Sequence, residues 1–453
     1  MTSAQETCCK CGVGKSSANA VLLGRSIADP PSRSMGFGGT PASAVFGGGD
    51  GELLADSGEG HVLVIAPTGA GKGRNVIIPN LLNYAGPAIV IDPKGEAARI
   101  TGRQRRAMGQ KVITIDPFGA CGKTTDSLNP FDLLNPQDPS FEADCLMLAK
   151  MVTGGQMSHV DRFWDQCAES LLAGTIAYFA EYMPASKRNM SQLREFFCGT
   201  DISYNIAVIL DTTLNGKSSL AVDEFKNFLS HEGEKVRTSV RSSVAQHMTT
   251  FAGEQVGRAI RSSSFRVSHV TSGSPLTIYL VIPPHKLEAY GPLLRLWASV
   301  LLTLVTRREQ APALPTLFIF DELAQLGAFP LLRPAVTLLR GYGVRCMLFL
   351  QDVNQLRALF PADYATIVNN CASVVTFGHT SFAMSREMAQ LLGDMTEESL
   401  FDMERGALAV RRNGKHTELI GRLDYLSDEI FRGKYDPNPM AQPRSLASAI
   451  NLS

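Results

Sequence analysis

From residue 61 onward the chain alternates short, unbroken apolar runs with longer stretches in which apolar positions recur every three or four residues. The runs fall at residues 61–66, 88–91, 112–115, 276–282, 317–320, 344–350 and 373–377. Unbroken apolarity over such short spans predicts strands of a parallel sheet buried on both faces, because a half-exposed strand would alternate instead. Interleaved with helical stretches, they predict an α/β fold. The interval 136–270 carries no good strand run. Within it Phe163, Trp164, Cys167, Leu171 and Leu172 share one helical face, and the aromatic pair Phe163-Trp164 reads most simply as core packing. The organisation expected is therefore a split α/β domain over 58–135 and 271–435, interrupted by an all-α insertion at 136–270. A Gly-, Ser- and Ala-rich arm at 1–57 has no periodicity and is expected to be irregular, and a tail occupies 436–453. No internal repeat is evident.

Composition places limits on this picture. The 453 residues contain 43 Lys plus Arg and 43 Asp plus Glu, so the formal charge is zero. A chain-wide basic footprint for nucleic acid is excluded, and any contact with phosphates must come from local patches or from subunits summed in a ring. The clearest basic cluster is 99–111, with Arg103, Arg105 and Arg106; a phosphate contact and a solvated helix face both remain open for it. Nine scattered cysteines and the absence of an apolar leader after Met1 predict reduced thiols and a cytoplasmic protein. Cys8, Cys9 and Cys11 lack the paired spacing of a zinc site, so a metal there is the weaker expectation. The longest apolar stretch, 296–305, is about half of what a bilayer span requires, and no transmembrane segment is expected.

The first run leads into Ala66-Pro67-Thr68-Gly69-Ala70-Gly71-Lys72-Gly73-Arg74. A strand, a Gly-rich turn ending in Lys, and then an apolar helix is the arrangement in which backbone amides cradle phosphate and an ammonium reaches its outer oxygens. Residues 67–74 are accordingly the candidate nucleotide-binding loop. It departs from the common P-loop pattern twice: Ala66 replaces the first Gly, and Gly73 the hydroxyl residue that usually holds Mg²⁺. A second run ends in Asp321-Glu322. In P-loop enzymes the first acid at such a strand end holds Mg²⁺ and the second polarises the attacking water, although an acidic pair can also merely cap a helix. Arg340 in a Gly-Tyr-Gly turn is a candidate arginine finger, and Gln351 at a strand end a candidate γ-phosphate sensor. Each has an ordinary surface or loop role as its alternative.

With these residues in place the sequence resembles the VirD4/TraG-type coupling proteins of type IV secretion and conjugation, hexameric P-loop ATPases of the FtsK/HerA-like group. The likeness runs over about 58–430. It rests on the loop at 66–73 with Ile78-Pro79-Asn80-Leu81-Leu82, on Ile91-Asp92-Pro93-Lys94-Gly95-Glu96, Asn129-Pro130-Phe131 and Phe163-Trp164, and on Phe320-Asp321-Glu322, Gly341-Tyr342-Gly343-Val344 and Leu350-Gln351 with Gln355-Leu356. It implies a RecA-like P-loop NTPase domain with a mainly parallel sheet and an all-α insertion. The catalytic set implied is Lys72, Asp321, Glu322, Arg340 acting in trans, and Gln351, with ATP and Mg²⁺ as cofactors and Asp321 on the metal, partly through water. The implied activity is ATP-driven delivery of single-stranded DNA with its attached relaxase, or of an effector protein, to a type IV secretion channel by a homo-hexamer. Two rivals stay open: a nucleotide-binding cargo adaptor with little turnover, and a non-secretory DNA pump. Members of the family usually begin with two transmembrane helices; with none expected here, membrane contact through a partner protein is implied, at a cytoplasmic or peripheral inner-membrane location.

Overall fold

The computed structural model describes residues 19–27, 51–154, 162–199, 201–327, 329–379 and 381–438. Eleven strands form one sheet among these residues: β1 (Val21–Arg25), β2 (Leu53–Asp56), β3 (His61–Ile65), β4 (Ala88–Ile91), β5 (Lys111–Ile115), β6 (Leu276–Leu280), β7 (Thr316–Phe320), β8 (Val344–Leu350), β9 (Cys371–Phe377), β10 (Ala407–Arg412) and β11 (Glu418–Gly421). Their order is β2-β1-β11-β10-β9-β3-β8-β7-β4-β6-β5. The seven strands from β9 to β5 pair in parallel, and they are the seven apolar runs of the sequence.

Their unbroken apolarity has a direct cause. Along β3, Leu63 and Ile65 pack into one core while Val62 and Val64 pack into another on the opposite face. The first core continues through Ile89, Phe318 and Leu348 into the helices that lie between β5 and β6, so sheet and helical region share one apolar interior. At its centre is the helix Leu287–Thr306, which contains the apolar stretch 296–305 as its second half. This helix is long and apolar enough to cross a membrane, yet most of its side chains are buried in the protein. Trp297 is fully buried within it and donates its indole N–H to the carbonyl of Leu128 at 3.0 Å. The predicted helix around residue 164 is Arg162–Tyr182. Phe163 does not join the core, however: it is 54% exposed and touches Trp164 edge-on at 5.0 Å.

Four antiparallel strands extend the sheet beyond β9, namely β10, β11, β1 and β2. Two of them lie in the stretch expected to be irregular, so that expectation fails for 21–25 and 53–56; Cys8, Cys9 and Cys11 and residues 439–453 of the tail lie outside the described residues. β1 is held by a buried side chain from the helix Ile78–Asn83. The Asn80 Oδ1 accepts from the Leu22 amide at 2.7 Å and its Nδ2 donates to the Leu22 carbonyl at 2.9 Å.

The basic cluster at 99–111 divides among unlike tasks. Arg105 is completely buried and donates to Thr277 Oγ1 at 2.8 Å, to the Gly86 carbonyl at 2.6 Å and to the Tyr84 carbonyl. Arg103 bonds Asp436 and the carbonyls of Gly433 and Tyr435, while Arg106 stays exposed. The solvated face describes Arg103 and Arg106, whereas Arg105 is a core residue satisfying a turn.

Candidate functional site

Parallel pairing in register brings the ends of four strands side by side. Ile65 pairs with Leu350, and Ile91 with Phe320, so the residues that follow β3, β8, β4 and β7 emerge along one edge. These are the loop at 66–74, Gln351, Asp92 and Asp321-Glu322. A crevice beyond the carboxyl ends of parallel strands is the usual ligand position in such sheets.

The loop turns twice through the left-handed region, at Gly69 (φ 79°) and Gly71 (φ 102°). A Cβ at Gly71 would sit 2.3 Å from the Asn75 Oδ1, whereas Gly73 has nothing within 4 Å. Packing therefore enforces glycine at 71, and at 73 it leaves open space where the common pattern carries a hydroxyl. After Lys72 the chain enters a π-helical turn, Gly73–Ile77, before the helix Ile78–Asn83. This explains how Pro79 is tolerated: the missing N–H falls where the hydrogen-bond ladder changes pitch.

Lys72 is 7% exposed, and its Nζ lies 3.3 Å from Oε1 of Glu322. The other carboxylate oxygen of Glu322 accepts from the Gln351 Nε2 at 2.7 Å. Glu322 is the one non-glycine residue with positive φ among the described residues (57°). A left-handed glutamate costs about 1–2 kcal/mol, and such strain concentrates at functional sites. Gln351 is itself fixed: its amide donates to Gln355 Oε1 at 2.8 Å, and Asp352 caps the following helix through the Gln355 amide at 2.7 Å.

Asp321 has no hydrogen-bond donor among the described residues. Burial, and then the charge of Glu322, push its carboxyl up to about 6. Asp92, on the adjacent strand end, is pushed up to about 7 by burial, with Asp321 and Glu96 adding to the shift against the bond it accepts from the Ala98 amide. Two crowded carboxylates, one without a donor, are a donor set that a divalent cation relieves. No group of three His, Cys, Asp or Glu side chains suited to a metal occurs among the described residues. The arrangement therefore fits Mg²⁺, which binds through one or two carboxylates together with substrate phosphates and water, rather than an ion caged by protein.

Arg340 is not part of this cluster. It precedes β8, a seven-residue strand with Gln351 at its far end, which separates the two by about 20 Å. Its guanidinium is 61% exposed and lies 3.9 Å from Glu59.

One set of residues against the loop escaped the sequence reading. Arg422, just past β11, donates to the Ala70 carbonyl of the loop at 2.9 Å and to the Ala407 carbonyl at 3.1 Å, with its guanidinium 4.6 Å from the Phe377 ring. Arg74 forms a two-pronged ion pair with Asp424, and Asn75 donates to the Leu423 carbonyl. The short segment 422–424 thus clamps the loop through three successive residues. Nothing in its own pattern announces this, because the partners lie some 350 positions away.

Comparison with known proteins bears on this arrangement. The family model described as type IV secretory system conjugative DNA transfer matches residues 26–405. The chain is 24% identical over 379 residues to the conjugal transfer protein TraG of Escherichia coli, covering 78% of this chain and 59% of that protein. It is 26% identical to the protein VirD4 of Agrobacterium fabrum, covering 76% of this chain and 51% of the relative. The chain thus spans less than two thirds of the length of these relatives. Among solved structures, the plasmid coupling protein TrwB in complex with a non-hydrolysable ATP analogue shares the fold with a TM-score of 0.62 at 16% identity, over 80% of this chain and 85% of that one. VirB4 of Thermoanaerobacter pseudethanolicus shares it with a TM-score of 0.54 at 12% identity, over 89% and 96%.

Proposed function

The chain belongs to the type IV secretory system conjugative DNA transfer family, and on that premise we propose that it is an ATP-hydrolysing coupling protein. Its work is to recruit single-stranded DNA with an attached relaxase, or a protein effector, and drive it towards a secretion channel. The observation that carries this reading is the bonded series Lys72, Glu322, Gln351 beneath a glycine-enforced loop. A passive receptor has no use for a strained glutamate aimed between a buried lysine and a glutamine. Support for nucleotide as ligand comes from TrwB, which is described in complexes with an ATP analogue and with ADP and Mg²⁺.

In this mechanism the loop at 67–74 holds the phosphates, and Lys72 turns from Glu322 towards their outer oxygens. Glu322 accepts a proton from the attacking water, and Gln351 holds the carboxylate in position. When bound, Mg²⁺ would be held at Asp321 and would neutralise charge on the phosphates. Arg340 lies too far from its own chain's loop to serve it. In this reading the exposed Arg340, ahead of the central strand β8, acts on the loop of a neighbour in a ring, where it stabilises charge on the transferred group. We place the homo-hexamer in the cytoplasm or against the inner membrane through a partner protein. The test is ATP turnover, with and without single-stranded DNA, in Lys72→Ala and Glu322→Gln. Hydrolysis unaffected in both variants would sink the assignment.

A further inference from the structure

The hairpin of β10 and β11 touches the phosphate loop at one end, and its other end is basic. Arg412 pairs with Ser373 at the start of β9, so the tip lies at the end of the sheet opposite the loop. There the chain reverses over Arg412-Asn413-Gly414-Lys415, closed by the Lys415 amide on the Arg412 carbonyl at 3.0 Å, with Gly414 at φ 72°. Asn413 is tied to β9 through the Ala372 carbonyl at 2.9 Å, so the tip is held against the sheet.

Two adjoining cavities, of about 210 and 400 Å³, share Asn369 and Arg411 and run past this tip. The larger is lined by Arg411, Arg412, Lys415 and His416, and the smaller adds Arg357. Arg411 spends its Nη1 on the carbonyls of Leu391 and Leu392 and has no carboxylate partner among the described residues. Lys415 is exposed and likewise unpaired, and His416 is 98% exposed. Against the four Arg and Lys side chains stand three carboxylates, Glu387 beside Arg357, Asp394 beside His416, and Glu418 beside Arg412. In a chain of zero net charge, this groove carries a local positive excess with amide donors interspersed.

We infer that this groove grips the phosphate backbone of single-stranded DNA, and that the hairpin passes the contact to the phosphate loop through Arg422. The inference rests on the functional reading above. A single strand presents regularly spaced anions that exposed Lys, His and Asn donors meet without reading sequence. A small excess of positive charge suits a grip that must be repeatedly released. β10 has six residues and spans about 20 Å, and at its near end Arg422 bonds both Ala407 of the hairpin and Ala70 of the loop.

The test uses the full chain and a fluorescein-labelled oligothymidylate, with anisotropy measured across a salt series in wild type and in Lys415→Glu/His416→Glu. Both positions are exposed, and neither touches the phosphate loop. The expected result is binding roughly tenfold weaker in the double variant, with the dependence of log K on log salt flattened by about 0.7 for each phosphate that is no longer neutralised. DNA-stimulated ATP turnover should disappear while turnover without DNA is unchanged. Equal affinity and slope in wild type and variant, where wild type binds and is stimulated, would overturn the groove and leave the motor reading standing. A wild type that neither binds the oligonucleotide nor responds to it overturns both. Loss of polyglutamate binding with DNA binding intact would make the groove a dock for an acidic protein and overturn the assignment.

Discussion

Replacing Glu322 with glutamine separates the charge of this residue from its shape. Glu322 accepts from Lys72 at 3.3 Å and from Gln351 at 2.7 Å. In Glu322→Gln one oxygen remains to accept from Lys72, and the other becomes an NH₂ facing the NH₂ of Gln351. A flip of the Gln351 amide restores that bond, so the site keeps its geometry. The weakened Lys72 interaction, at a partly buried pair, costs about 1 kcal/mol. The chemical loss is far larger, because removing a general base lowers turnover by about 10²–10⁴, or roughly 3–5 kcal/mol of barrier. Steady-state phosphate release should therefore show kcat down by at least about a hundredfold, with nucleotide affinity unchanged or tighter as Lys72 is freed. Glu322→Gly is the backbone control. It relieves the left-handed strain at φ 57° but also removes the bonds to Lys72 and Gln351 that glutamine keeps; the two effects are each about 1–2 kcal/mol and oppose, so its urea midpoint should lie within about 1 kcal/mol of that of Glu322→Gln. If Glu322→Gln turns over within about fivefold of wild type, Glu322 is not the base.

Other substitutions have equally definite expectations. Arg105→Met strands the carbonyls of Tyr84 and Gly86 and the hydroxyl of Thr277, so unfolding in urea should show at least about 3 kcal/mol lost, with the affinity for oligothymidylate of the remaining folded protein unchanged. Gly71→Ala drives a Cβ into Asn75 and should abolish nucleotide binding by calorimetry; Gly69→Ala, also at positive φ but with open space around it, should weaken binding only modestly. His61 is pushed down to about 4, chiefly by burial, with Arg345 and Arg340 adding to the shift against a backbone hydrogen bond. Its folded form holds fewer protons than the unfolded chain between about pH 4 and 6.5, so stability is present above 6.5 and falls by about 2 kcal/mol towards pH 5. His61→Gln should flatten that dependence in urea titrations across this window. Arg340→Ala should be inactive alone, but when mixed with Lys72→Ala it should recover part of the turnover, because each subunit supplies what its neighbour lacks; no recovery would place Arg340 outside the reacting centre.

Much of this site is legible in sequence because its parts are local. A loop such as 66–74 must have glycine where φ is positive, and a strand buried on both faces must be apolar throughout, so the seven parallel strands and the residues at their ends announce themselves. Pairings between distant segments leave no such trace. β1, β2 and β11 are only four or five residues long, and none of the four residues of β2 is fully buried. Their pairing depends on neighbours, not on their own pattern. The reversal at Gly414 pins Arg411 and Lys415 to one groove, yet their residue types alone say only that they are charged. Phe163 defies its expected core position because helical spacing identifies a face without saying what covers it. Arg105 is hidden in its cluster because a run of arginines cannot show which one turns inward.

The sequence by itself determined an α/β chain with a glycine-rich loop after its first parallel strand, two acids at a strand end and a helical region between the halves, since each follows from the conformational demands of adjacent residues. Tertiary structure alone decided that Lys72, Glu322 and Gln351 form one bonded series, that Arg340 faces away from it, and that residues 422–424 clamp the loop. Those facts depend on strand order and register, which are set by how two apolar faces are buried together and not by any single segment.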